Sequence, residues 1–475
     1  MSKRILKKFF ASTIAIAVAM TTFQICVFAG RPKNHLLEKT ESENLKLPES
    51  LSKPLYTNEQ KEDFVNIVKK LSNYDFFVPY AKAEILKIVD MLFKCSNVES
   101  AKQSIALIIN NFASHGHFKD FEKIEISKTL DLLYICSNNN SAKEHVVSAI
   151  GNLIAKQCFK CLTKEEIFKI TDILTICASN FEIKGIIAGA IGDLVYSYSL
   201  SSHTEDEILK IVDLLNMCAN SEDAKKYIAN AIENLASKDC LMNLEKEKIL
   251  NLTNLLIQCS KNKYAKRLAI SAIEHFAFKN LLKSFCSEEI SKIVDWLVDC
   301  SDSKDSKEQL AGTVVILAAR NLIKDLKKEQ ILKLTNLLEK CSSDAGAKRN
   351  VAIAIGNLAY TKLLSGYTQC EMLDILEILN KCADNVNAKL NVAHSIKNLA
   401  VRNFLKGQDK SEVTKIINML NKCLITNKSE TLIASVIENL ANCDFFKNCG
   451  ENEILSLKAI LAQCVHANES KEEVA

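Results

Sequence analysis

The sequence predicts an all-α fold of tandem helical repeats, and three observations carry that prediction. The 475 residues hold only 4 prolines and 12 glycines and are 48% hydrophobic, which suits helices. Cys95, Cys136, Cys177, Cys218, Cys259, Cys300, Cys341, Cys382, Cys423 and Cys464 stand 41 residues apart at every step, without an insertion. Within each interval, apolar residues recur twice at helical spacing, separated by a polar stretch.

The chain opens with MSKRILKKFF and the apolar run ASTIAIAVAMTTFQICVFA, with Val27 and Ala29 before Gly30. A basic region, an apolar stretch and small residues at the cut are the pattern of a secretory signal peptide, residues 1–29. The alternative is an uncleaved anchor, since the run nearly spans a bilayer. Cleavage near Ala29 would remove four of the 61 Lys and Arg and none of the 57 Asp and Glu, leaving 57 of each. The mature chain would be neutral, which argues against a nucleic-acid partner, because phosphate binding needs a basic surface. All four prolines, Pro32, Pro48, Pro54 and Pro79, precede the first ladder cysteine. Residues 30–58 read as a flexible linker, 59–467 as the repeat array and 468–475 as a polar tail.

Positions in the repeat are counted from the ladder cysteine. In the unit around Cys218, Ile208, Ile211, Leu215 and Cys218 form the stripe of a first helix, ANSED interrupts it, and Ala224, Ile228, Ala231, Ile232 and Leu235 form the stripe of a second. A connector follows, whose position +23 is apolar in all nine units, from Phe118 to Phe446. That regularity predicts a short third helix or an anchored turn. Residues 60–72 match a second helix, and the chain ends just after a first helix, so both ends are incomplete units, as capping requires.

The segments AIENLA (231–236), AIGNLA (354–359), SIKNLA (395–400) and VIENLA (436–441), together with IVDLLNMCA (211–219), resemble the helices of the armadillo repeat, within the armadillo/HEAT class. The resemblance covers roughly residues 60–466. It implies a right-handed α-solenoid of about nine to ten 41-residue armadillo-like repeats with capping half-repeats. The glycine-proline turn usual in that family is absent.

Several ladders are candidates for function. The ten cysteines lie on a core stripe and are expected to be reduced packing residues, since neighbouring units about 10 Å apart exceed disulfide reach. The connector cysteines Cys158, Cys161, Cys240, Cys286, Cys370, Cys443 and Cys449 leave their disulfide state open. KIVD segments suggest i,i+3 pairs such as Lys87 with Asp90, Lys128 with Asp131 and Lys169 with Asp172 on a solvated face. Lysine recurs at +7, from Lys102 to Lys389, where it opposes the dipole of the second helix. Its stem covering the core edge is the simpler reading; a basic stripe is the other.

At +16 stand Asn111, Asn152, Asn234, Asn357, Asn398 and Asn439, replaced by Asp193, His275 and Ile316 in three units. This position falls at the margin of the exposed face. The resemblance implies a concave groove whose asparagines hold the backbone of an extended peptide. The family's import adaptors place tryptophan one turn earlier, but the only tryptophan, Trp296, replaces a first-helix core leucine. A groove of Ser, Gly and Asn with aromatics such as Tyr196, Phe278 and Tyr360 could still grip an extended polypeptide through amide hydrogen bonds; stacking of neighbouring repeats explains the asparagines equally well.

No catalytic constellation, phosphate loop or metalloprotease helix occurs, and His115 and His117 in SHGHF are only a weak metal hint. The expectation is a secreted, monomeric, non-enzymatic scaffold without cofactor or metal, binding a protein or extended peptide. It would bind no nucleic acid, and no membrane beyond the signal segment. The alternatives are a nucleic-acid-binding solenoid and an accessory subunit of an enzyme complex.

Overall fold

Capping chemistry starts the first helices where the polar stretches end. Thr368 accepts from the Glu371 amide at 3.3 Å while the Glu371 carboxylate accepts from the Thr368 amide at 2.6 Å. Asp409 with Glu412 forms the same reciprocal box. Second helices end in a left-handed residue at +21: Gly116, Gln157, Asp239, Asn280, Asn321, Lys362 and Asn403 all have φ between 54° and 78°. At one such end Leu281 N donates to Phe276 O at 2.9 Å and Asn280 N to Ala277 O at 3.1 Å. These bonds satisfy the last carbonyls, and asparagine tolerates this conformation better than other residues with a side chain.

The structure is a computed structural model that describes residues 55–73, 76–77, 80–159, 163–198, 200, 204–406, 409–424, 427–442 and 445–472. The signal segment and most of the linker, with Cys161, Cys443 and Pro79, lie outside them. The described residues form twenty α-helices and no strand. Within each of two compact units the helices pack on their neighbours along the chain, as in an α-solenoid.

The helices group into two compact units, residues 1–180 and 181–475. In the first, Lys82–Cys95, Lys123–Ser137 and Lys164–Cys177 form a layer of first helices, and Asn58–Ser72, Lys102–Ser114 and Lys143–Ala155 a layer of second helices. In the second unit Glu205–Cys218, Lys246–Cys259, Ser287–Asp299, Lys328–Cys341, Gln369–Ala383, Lys410–Cys423 and Glu451–Glu472 are the first helices. The second helices there are Lys184–Ser197, Glu222–Ser237, Lys263–Phe278, Lys307–Ala319, Lys348–Tyr360, Lys389–Val401 and Asn427–Asn442. The last first helix continues into the segment read as a polar tail; that segment holds no proline or glycine to stop it.

The core lies between the layers. The stripes around Cys218 are buried, from Ile208 through Leu235. The +23 residues Phe118, Leu241, Leu282, Ile323 and Leu405 are fully buried beneath the connectors, which are turns rather than a third helix. In the last unit a 3-10 helix, Phe445–Asn448, buries Phe445 at +22 instead.

Within each unit the second helices pack against one another more closely than the first helices do. Small residues permit it. A Cβ at Gly356 would stand 2.8 Å from Ser395 Oγ, on the next second helix. That hydroxyl donates to Ala352 O at 2.6 Å, so the two backbones approach where only glycine fits.

Candidate functional site

The sequence nominated the +16 asparagines, and the structure shows what holds them. Each +16 residue sits on a second helix, one turn before its C-terminus. Asn357 Nδ2 donates to Val315 O at 3.3 Å and Asn398 Nδ2 to Gly356 O at 3.0 Å, each on the preceding unit. Asn152 donates to Asn110 Oδ1 at 2.8 Å, and Asn111 to Ser72 Oγ and Asn73 Oδ1 at 3.1 and 2.8 Å. Asn234 and Asn439 turn back onto their own helix, to Asn230 O and Ser435 O. The asparagines and His275 are half-buried, and Asp193 is exposed. Four of the six amides at this place therefore reach a carbonyl or polar side chain of the repeat before them and help hold the spacing of the second helices.

The ten ladder cysteines are at most 3% exposed and carry no disulfide. Burial pushes the thiols of Cys136, Cys177, Cys259, Cys341, Cys382 and Cys423 up to about 12, those of Cys95, Cys218 and Cys300 up to about 11, and raises that of Cys464. Thiols held this far from the thiolate are poor nucleophiles and poor metal ligands. Among the connector cysteines, Cys158 and Cys240 are buried, Cys449 is half-buried, and Cys286 and Cys370 are exposed.

The structure gives three of the eight +7 lysines a third role, while Lys102 and Lys225 pair with Glu99 and Glu222 of their own unit. Lys143 Nζ donates to Ser179 Oγ at 2.7 Å, Lys184 to Asn220 Oδ1 at 2.8 Å and Lys307 to Ser343 Oγ at 2.7 Å. Each acceptor stands two residues past a ladder cysteine, at the C-terminal pole of the next unit's first helix. A cation there meets the negative end of that helix dipole, which offsets its unfavourable place in its own helix. Lys61 makes the same bond to Asn97 at 3.0 Å. Sequence reasoning missed Lys61 because no cysteine precedes it in register.

The KIVD charges also pair between units, not along one helix. Lys128 binds Asp90 at 2.5 Å and Lys333 binds Asp295 at 2.6 Å, and Lys169 binds Asp131. The repeat step brings the lysine of the following unit over the aspartate of the preceding one. Lys87 does pair within its helix, but with Glu84.

Trp296 is 6% exposed and donates from Nε1 to Ser260 Oγ at 2.7 Å, a packing residue with its polar edge satisfied. A ring nitrogen of His115 lies 2.7 Å from Asn111 O at a helix end, and His117 packs edge-on against Phe112. Among the described residues no group of three or more His, Cys, Asp or Glu is placed to hold a metal ion.

One further row escaped the sequence reading. At +3, Asn139 donates to Glu99 Oε1 at 2.8 Å and Asn385 to Ala345 O at 3.0 Å, again on the preceding unit. The groove aromatics expected from the sequence, Tyr196, Phe278 and Tyr360, stand at +19, one turn beyond the asparagine row, and are 69%, 46% and 62% exposed. The 41-residue register was the signal that could have found the +3 row. A scan against family models and a search of curated proteins return no match to this chain.

Proposed function

We propose that this chain is an exported, monomeric, non-enzymatic scaffold, a right-handed armadillo-like solenoid with a 41-residue repeat, whose second-helix face binds an extended segment of another protein. The observation that carries this reading is the exposed row at +19, set in register beside the half-buried +16 row. Singly exposed apolar residues are common, but large rings repeated on one face at a fixed step mark an interaction surface. The asparagines on this reading position the second helices and border the bound segment. Export rests on the pattern of residues 1–29, cut near Ala29. No described helix is long and apolar enough to cross a membrane.

Site-mapped crosslinking of the mature chain to its captured partner tests the proposal. Crosslinks should fall on the second helices, near +16 and +19. Crosslinks confined to first helices would overturn it. Export is tested separately by the N-terminus of the protein recovered from outside the cytoplasm, expected at Gly30.

A further inference from the structure

We propose that the C-terminal edge of the second helices in residues 181–475 is a ledge for an acidic, extended polypeptide; this rests on the scaffold reading above and names its partner class. The rings at +19 alternate with small residues: Tyr196, Phe278 and Tyr360 stand 82 residues apart, with Ser237 and Ala319 between them. Each ring carries a cation from position +20 of the following unit. Lys238 Nζ lies 5.6 Å from the Tyr196 ring centre, Arg320 Cζ 5.2 Å from Phe278, and Arg402 Cζ 5.2 Å from Tyr360. The three pairs share one register, repeated every second unit; Lys238 also donates to Val195 O at 2.8 Å and to Tyr196 O, whereas the other two cations are guanidinium groups.

The helix dipole accounts for cations at these ends, but not for the exposed rings beneath them. A guanidinium stacked on a ring is held in orientation while its N–H groups still point outward in its plane, the arrangement that grips a carboxylate with two hydrogen bonds.

Charge points the same way. The five stretches 237–242, 278–283, 319–324, 360–365 and 401–406, each covering +19 to +24, contain eight Lys and Arg and one acid, Asp239. Lys279 binds that aspartate at 2.6 Å. The edge is thus basic in a chain whose mature form would be neutral. Units about 10 Å apart put a cation beside every third residue of a strand rising about 3.3 Å per residue. A single-stranded nucleic acid fits less well. Its successive bases stack on neighbouring rings, whereas these rings are two units apart and each has a cation over it.

The test is fluorescence anisotropy with the mature chain, using a labelled peptide of repeating Glu-Gly-Ser, its Gln-Gly-Ser counterpart, and an oligothymidylate of equal charge. The acidic peptide should bind best and lose affinity with added salt. The pair R320A/R402A should weaken it about tenfold or more. R320K/R402K, which keeps the charge but not the fork, should recover only part of the loss, and F278A/Y360A should weaken binding while circular dichroism stays unchanged. Equal binding of the neutral peptide, preference for the oligonucleotide, or indifference to these variants in folded protein would overturn the proposal. If any of those occurs while crosslinks still map to the second helices, the acidic-peptide inference falls and the scaffold reading stands. Crosslinks on the first helices alone would remove both.

Discussion

The two helix layers hold their neighbours by different means. First helices reach across to the next unit mainly through exposed charges: Lys333 with Asp295, Lys381 with Glu339 at 3.2 Å and Lys422 with Asp384 at 3.0 Å. Second helices do so through close backbones and buried or half-buried hydrogen bonds, such as Ser395 to Ala352 O and Asn398 to Gly356 O. Exposed ion pairs tolerate small shifts in spacing because water screens them. A hydroxyl wedged against a glycine does not. The second-helix layer is therefore where the geometry of the repeat is set, and the first-helix layer is where sequence can drift.

Substitutions and thiol chemistry can break or sharpen this contrast. The largest effect should come from the cysteines between the layers. In native protein Cys286 and Cys370 should react with a thiol reagent on mixing, while the ladder cysteines react orders of magnitude more slowly, at rates set by opening of the layers. Rapid labelling of about ten further thiols without denaturant would show that the layers are not closed.

Next comes Gly356→Leu, which places carbon where Ser395 Oγ already stands. It should cost about 1–3 kcal/mol, read as a lower denaturation midpoint, provided unfolding is cooperative. Asn398→Ala removes the bond to Gly356 O and should cost about 1 kcal/mol by the same measurement. A change as small as that of an exposed ion pair would show that the second layer is no more sensitive than the first.

Glu274, on a second helix, tests the same layer through pH. Burial first, then the charges of Glu308 and Glu233, raise its pKa above the ordinary carboxylate range. The folded chain thus holds this proton more tightly than the unfolded chain, and its contribution to stability is lost as pH rises from the unfolded to the folded pKa. Glu274→Gln should melt higher than the parent at pH 7, with the gain vanishing below the ordinary glutamate pKa, about 4. An equal gain at low and neutral pH would assign the effect to packing.

The smallest effect belongs to the first layer. Lys333→Ala should shift stability by about 0.5 kcal/mol or less, and less still in high salt, because both partners of the pair are about half exposed.

Much of this was legible beforehand because an α-helix converts spacing into facing. The stripe Ile208, Ile211, Leu215 and Cys218 is buried as its spacing requires, and the +23 residues needed only their register to be recognised as anchors. The left-handed caps were half legible: Asn280, Asn321 and Asn403 are residues that favour that conformation, but Gln157 and Lys362 at the same place are not. The lysine clamp was hidden, since Lys143 shows its own helix in the sequence but not the helix end above it. So was the pairing of Lys128 with Asp90 in place of Asp131.

By itself, then, the sequence determined the period, the two helices per unit and the residues that face inward, because those follow from local hydrogen bonding and the burial of one stripe per helix. The tertiary structure decided everything that depends on the step between units: which lysine meets which helix pole, which asparagine holds which carbonyl, and that Arg320 and Arg402 lie over the rings of the unit before. An ion pair, an amide bond or a stacked guanidinium forms only within a few ångströms. Residues some 40 positions apart come that close only after the repeats have stacked.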